Sequence, residues 1–499
     1  MSTIRRQSIR SSVIIYTGFA LGLLNTYLFT RQGGFTQSQY GLVGIFVSIA
    51  TLMFSFANLG MQAYIYKFFP YYEDNLPRKH NDLLTWALIG GLIGFILVAI
   101  AGIAFKDLII RKFGAHSKEL ITYYGWTFPL GFGLTIYMLL ETYAWQIKKS
   151  VLSNFLREVL FRGLTTILIL ATLTGIFKSF NPFIKFFSLN YLVISIFLLS
   201  YLLWKKEFHI RFEVSRVTRK FRKKILTLAS FVWGGGFLHN LAAVFGQFVI
   251  ASVAQNGLAD AGVFILAQYM TSVMQAPQRS IIAASTAPLS KAWKDKDFQK
   301  INLIYYRSSI NQLVFSMGIF ALIYLNFRDG IHSFHVQENF LNAQRVFLFL
   351  GLSCIIDMGT GVNTQIIATS TYWRFDFITG IILLALSLPL SYILTKQLGI
   401  IGPALSNLFS FTIYNAIRWG FLWKKFNMQP FDRKSVIAIL NALAAFFISY
   451  YLFRNHSGIL WILLRSITFI VVYLTATVYL SISPDTINIW NTIRKRIGI

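Results

Sequence analysis

Ser48, Thr51, Ser55, Asn58 and Gln62 follow one another at intervals of three or four residues. Gln268, Thr271, Gln275 and Gln278 repeat the spacing about 220 residues later, and both segments carry glycine in second place, Gly41 and Gly262, a candidate internal repeat. On a helix each set forms one polar stripe. Two readings stand open. Small polar residues serve helix packing, where Ser and Thr are common, and this accounts for Ser48, Thr51 and Ser55. Amides are costly against lipid, so Asn58, Gln62, Gln268, Gln275 and Gln278 favour stripes that line a hydrated cavity.

Charges inside apolar segments form the second group. Asp357 stands near the middle of one such segment, with Gly359 and Gly361 just after it. Asp357, Thr360, Gly361 and Thr364 share a helical face, and a charge at this depth is expected to face the protein interior. The glycines let a neighbouring helix approach or let the helix bend. The other reading is an assembly pair with an arginine, for which Arg345 and Arg374 are too far along the same helix. Arg279 follows Pro277, which marks a bend or break. An unpaired arginine there costs about 2.5–3.5 kcal/mol, so Arg279 either faces water, a carboxylate or an anionic ligand, or snorkels to the headgroups. Glu158 and Arg162 are four apart and read as an internal ion pair. Glu141 lacks a local partner and is a candidate for cross-cavity pairing or proton coupling. Asn240 and Gln247 share a face beyond the glycines Gly234 to Gly236. His239 between them reads as a packing residue or as a group that titrates near neutral pH.

The elements that must position these groups are membrane helices. Of the 499 residues 55% are hydrophobic and 13% charged, against roughly 25% charge in soluble domains. At about 20 apolar residues per crossing the chain supplies about 14 spans. Their approximate limits are 11–29, 40–65, 83–105, 122–145, 157–176, 186–204, 225–252, 261–287, 308–327, 344–366, 377–395, 400–423, 436–453 and 459–481. The formal charge of +28 sits in short loops between them, a topology pattern and not a nucleic-acid face. Roughly 31 basic residues fall on one side and about 10 on the other, which places both termini in the cytoplasm. Arg5, Arg6 and Arg10 precede an apolar run with no small-residue cleavage site, so the run is expected to stay as the first span. Cys354 is the one cysteine, which excludes an intramolecular disulfide and a thiolate metal cluster. The most basic loop, Lys205–Lys224, is expected either to lie along the anionic cytoplasmic leaflet or to act as a topology signal alone.

Four stretches carry a family likeness: "YGLVGIFVSIATLMFSFANLGMQAYIYKFFP" (Tyr40–Pro70), "QAPQRSIIAASTAPLSKAW" (Gln275–Trp293), "IDMGTGVNTQIIATS" (Ile356–Ser370) and "LGIIGPALSNLFS" (Leu398–Ser410). On these the chain resembles bacterial Wzx-type oligosaccharide flippases of the multidrug/oligosaccharidyl-lipid/polysaccharide exporter superfamily. The resemblance implies an all-α polytopic protein of two six-helix lobes around a central cavity, 1–222 and 223–426, plus two further helices within 427–499. It implies residence in the bacterial inner membrane and movement of polyprenyl-pyrophosphate-linked glycans, such as O-antigen or capsule units, to the outer leaflet. A coupling ion, H+ or Na+, and other surface-polysaccharide assembly proteins are implied partners. Related flippases line the cavity with several basic residues, for which the candidates here are Arg31 and Arg279. A pyrophosphate needs donors and positive charge, and sugars need amides, hydroxyls and aromatic faces, which the 24 tyrosines and 11 tryptophans supply.

Two rivals are weighed against this reading. A membrane glycan polymerase or ligase needs an acid, base or metal site on a substantial loop, and the outer loops are short. Asp295 and Asp297 have D-x-D spacing but sit among lysines as a solvated helix end. No catalytic residue, metal or cofactor is therefore expected. A multidrug antiporter of the same superfamily usually has 12 spans, and the additional helical pair favours the glycolipid reading.

Overall fold

The computed structural model describes residues 3–487 and 490; for residues 3–12, 231, 232, 235, 236, 239, 283, 287 and 373 it describes the backbone alone. The side chains of His239 and of the terminal basic residues Arg5, Arg6, Arg10, Arg494, Lys495 and Arg496 lie outside the described residues. The described chain is helical. In order run α1 (Thr3–Thr30), α2a (Gln37–Ala57), α2b (Met61–Asn75), α3 (Leu83–Ala104), α4 (Thr127–Gln146), α5 (150–173), α6 (Phe180–Trp204) and α7 (Arg216–Val253). Then come α8a (Gly257–Met274), α8b (Ala276–Lys294), α9 (Phe298–Ser333), α10a (Ala343–Gly359), α10b (Asn363–Ala368), α11 (Trp373–Leu398), α12 (Gly402–Phe426), α13 (Arg433–Phe453) and α14 (Ile459–Tyr479).

Among the described residues ten helical stretches are long and apolar enough to cross a membrane, and one of these, 374–426, holds both α11 and α12. The less apolar α4, α5 and α7 carry Glu141, Arg157 with Glu158 and Arg162, and a basic first third. Together these elements give about fourteen crossings at about 20 residues each.

Contacts divide the chain into two compact units, Met1–Gly262 and Val263–Ile499. In the first, α4 packs on α6 and on α2a, and Leu83, Ala87, Tyr137, Leu140, Ile194 and Leu198 are fully buried between helices. In the second, α9 is the hub. Ala438, Ala442 and Ala445 form a small-residue face on α13 that shares a core with Ile310 and Leu313 of α9 and Phe469 and Tyr473 of α14.

Three segments expected as single spans (40–65, 261–287 and 344–366) are interrupted, the last two where Pro277 and the glycines at 359–361 were expected to bend or break them. The second helix stops at Asn58, and Leu59 and Gly60 take positive φ of 43° and 76°. The eighth breaks at Gln275, where Pro277 starts the next helix. The tenth breaks at Thr360–Val362 around Gly361, whose φ is 65°. Close backbone approach explains two of the breaks. A Cβ on Gly60 would sit 2.7 Å from the Ala229 carbonyl carbon on α7, and one on Gly361 would sit 2.9 Å from Ser309 N on α9. Both glycine functions expected at 359–361, bending and close approach, are present at Gly361.

Gly60→Ala combines an unfavourable φ with a backbone collision. It is expected to destabilise the first unit by about 2–5 kcal/mol, read as a lower thermal midpoint of the detergent-solubilised protein.

Candidate functional site

The first unit carries a polar zipper between α2a and α7. Ser48 donates to Gln247 Oε1, and Asn240 Nδ2 donates to Ser55 Oγ at 2.7 Å. Seven residues separate the partners on each helix, so two antiparallel helices meet in register. Ser48 and Gln247 are buried in this contact. Their hydrogen bond joins the two packed helices. Thr51 returns its hydroxyl to Val47 O at 2.8 Å.

The break at Asn58–Gly60 opens the lower part of the stripe. Ser55, Asn58, Gln62 and Asn240 line a cavity of about 220 Å³, walled also by Tyr66 and Trp233. Asn58 Oδ1 accepts the Gln62 main-chain N–H at 3.1 Å, and Gln62 Nε2 donates to Thr142 Oγ1 at 3.0 Å. A cavity lined by amides, a hydroxyl and aromatic faces suits hydrated polar ligands. Arg31 is half-buried just past α1.

Glu141 is only 1% exposed. Sequence offers it no local partner; the structure gives it Arg157, whose Nη1 donates to Oε2 at 2.9 Å. Arg157 also meets Glu158 at 3.3 Å, and Glu158 meets Arg162 at 2.8 Å, the expected i,i+4 pair. Four alternating charges thus neutralise one another inside α4 and α5. A π-turn over Phe155–Leu160 sets their register. Glu141 Oε1 is buried with no hydrogen-bond partner.

The second unit gathers its polar residues around Asp357. Gln278 Nε2 donates to Asp357 Oδ2 at 3.0 Å and Asn415 Nδ2 donates to Oδ1 at 3.2 Å. No ion pair to Asp357 is present among the described residues, so the arginine partner expected on the assembly reading is replaced by two neutral amides. Asn363 Nδ2 donates to Asn415 Oδ1 at 2.9 Å, and the Thr360 hydroxyl donates to the same oxygen at 2.9 Å. Thr364 donates to Asn363 Oδ1 at 3.2 Å and accepts from Arg418. Asp357, Thr360 and Thr364 therefore share one network despite the break in their helix, because the side chains of α12 bridge it.

Arg418 ends the network. Its guanidinium is buried, pairs with Asp376, donates from Nε to Thr379 Oγ1 at 3.1 Å and lies 4.0 Å over the Tyr414 ring. Sequence reasoning passed over Asn415, Arg418 and Asp376. The available signal was an arginine in the apolar run 400–423, which demands a buried counter-ion.

The remaining stripe residues lie beside this cluster in sequence. Gln268 is half-buried and Thr271 is buried on α8a. Gln275 stands at the helix break with its side chain on the Cys354 thiol. Arg279, one residue beyond Gln278, is exposed and has no hydrogen bond or ion pair among the described residues.

No family model matches the chain, and no curated protein matches it. Solved structures do. A structure described as lipid II flippase MurJ in an inward closed conformation aligns with a TM-score of 0.72 and 17% identity, covering 95% of this chain and 98% of that one. An inward-facing multidrug resistance MATE family transporter of the MOP superfamily aligns at 0.66 and 18%, covering 85% and 98%. A MOP superfamily transporter from Pyrococcus furiosus, described as having a binding pocket of reversed polarity, aligns at 0.57 and 16%, covering 85% and 95%. The polar zipper and the Asp357 cluster are thus carried on the fold shared by the lipid II flippase MurJ and the MATE transporters.

Proposed function

We propose that the chain is a flippase for polyprenyl-pyrophosphate-linked oligosaccharide, carrying the glycan headgroup across a bacterial inner membrane by alternating access. The observation that carries this reading is the extent of the likeness. The lipid II flippase MurJ aligns over 95% of the chain, whereas the MATE transporter aligns over 85%. The helices α13 and α14, beyond the usual 12 spans of a drug exporter, support the same choice.

In this mechanism the headgroup binds the polar lining described above and alternating access carries it across. Ser55, Asn58, Gln62 and Asn240 offer amides and a hydroxyl to sugar hydroxyls, with Tyr66 and Trp233 as apolar faces. Gln268 and Thr271 are further polar candidates on α8a. Arg279 supplies a charge-assisted donor to the pyrophosphate, and Arg31 a second. Asp357 is the coupling group. Two neutral amides hydrogen-bond its carboxylate and no ion pair to it is present among the described residues, which leaves it as the group to which the coupling role is assigned.

Expression in a strain lacking its own O-antigen or capsule flippase, with chemical analysis of the surface polysaccharide, tests the reading. Restored polysaccharide supports it. Arg279→Ala is expected to cut restoration about tenfold or more at normal expression, with Arg279→Lys retaining part of it. Full restoration by the alanine variant would remove Arg279 from the headgroup site.

A multidrug or cation antiporter is the second reading, favoured by the MATE likeness. Export of cationic dyes with no polysaccharide restored would select it.

A further inference from the structure

The connector between α6 and α7 exposes apolar side chains that the first unit leaves uncovered. At the end of α6 the Trp204 side chain is 74% exposed, and Lys205 Nζ lies 4.1 Å over its ring. The chain then passes through Phe208, buried in the core, to Ile210, Phe212 and Val214, which are 59%, 71% and 44% exposed. Two hydrogen bonds fix their level. Arg211 N donates to Thr85 Oγ1 at 3.1 Å, and Ser215 N donates to Asp82 Oδ2 at 2.9 Å. Asp82 and Thr85 belong to the start of α3, where the apolar run 83–104 begins. The three outward side chains therefore sit at the level where α3 enters the hydrocarbon.

The start of α7 is two-sided. Val217 and Ile225 pack into the core, while Arg216, Arg219, Lys220, Arg222, Lys223 and Lys224 are exposed. A topology signal needs only the charges. It does not need three apolar side chains held outward at the membrane boundary by side-chain acceptors of another helix.

We propose that residues 204–224 form a docking surface for anionic phospholipid. Ile210, Phe212 and Val214 insert among the upper acyl carbons. The basic face of α7 receives the headgroup phosphates. The two terms act together: burial of the apolar side chains among acyl carbons is favourable, and each Lys or Arg near an anionic surface is attracted to it. The surface does not depend on which substrate the protein moves.

Spin labelling tests it on the full chain. Cys354 is the one cysteine and is 3% exposed, so Phe212→Cys with Cys354→Ala gives a single labelling site. Collision rates with oxygen and with a nickel chelate are read in phosphatidylcholine vesicles with and without about a quarter phosphatidylglycerol. The expected result is a several-fold higher oxygen-to-nickel ratio in the anionic vesicles. That ratio is expected to fall in neutral vesicles and in a variant combining R219Q, K220Q, R222Q and K223Q. A nickel-accessible label in the anionic vesicles would overturn the proposal. So would equal ratios in anionic vesicles, neutral vesicles and the variant.

Discussion

Asp357→Asn is expected to abolish transport, at least about a hundredfold, while leaving the protein folded and in the membrane. Asparagine keeps the shape of the side chain and can still accept from Gln278 or Asn415, so the hydrogen bonds survive in part. Only the charge is lost. If Asp357 served assembly alone, the substitution would act on folding, because the half-buried carboxylate accepts from both Gln278 and Asn415 and the amide keeps only part of that pairing. A variant with a wild-type thermal midpoint and no polysaccharide export identifies the coupling role. A variant that fails to accumulate identifies an assembly role. Asp357→Glu provides the control: it restores the charge about 1.5 Å further out, and partial transport is expected.

The second large effect is structural. Arg418→Met leaves Asp376 without its cation inside the α11–α12 pair. Asp376 is partly exposed, so stranding it costs about 1–3 kcal/mol, less than the loss of about 3–5 kcal/mol for a fully buried pair. On the 2–4 °C per kcal/mol scale of domains this size, the thermal midpoint should fall by roughly 2–12 °C. The combined variant D376N/R418M should recover most of that loss, because neither charge is then stranded. Recovery separates this prediction from a general packing defect, which a second substitution would worsen. A change in transport that tracks stability is expected, since Arg418 reaches Thr364 and through it the Asp357 network.

Much of this architecture was legible in the sequence, for a physical reason. Lipid forbids unpaired backbone groups, so long apolar runs have one outcome, the helix. The spacing of Glu158 and Arg162 also predicted a contact, because helix geometry brings residues four apart together. Longer-range partners were not legible. Nothing in the runs around Glu141 names Arg157, and nothing near Asp357 names Asn415, since those contacts depend on which helices pack. The interruption at Gly60 was hidden by apolar neighbours that hydropathy cannot tell from continuous helix, whereas Gly359 and Gly361 signalled a bend. The stripe on the second helix proved to be of two kinds. Ser48 meets Gln247 in a packed contact, whereas Ser55, Asn58 and Gln62 border a cavity. A helical wheel assigns them one face, and what packs opposite each residue decides its surroundings.

The central claim, that the chain moves a lipid-linked glycan, is tested most directly in proteoliposomes. Purified protein is reconstituted with a polyprenyl-pyrophosphate-linked oligosaccharide confined to the inner leaflet, and the glycan reaching the outside is read by an impermeant lectin. The account predicts time-dependent lectin capture with wild-type protein and background capture with Asp357→Asn. Background capture with a folded wild-type protein, under both a proton and a sodium gradient, would contradict it.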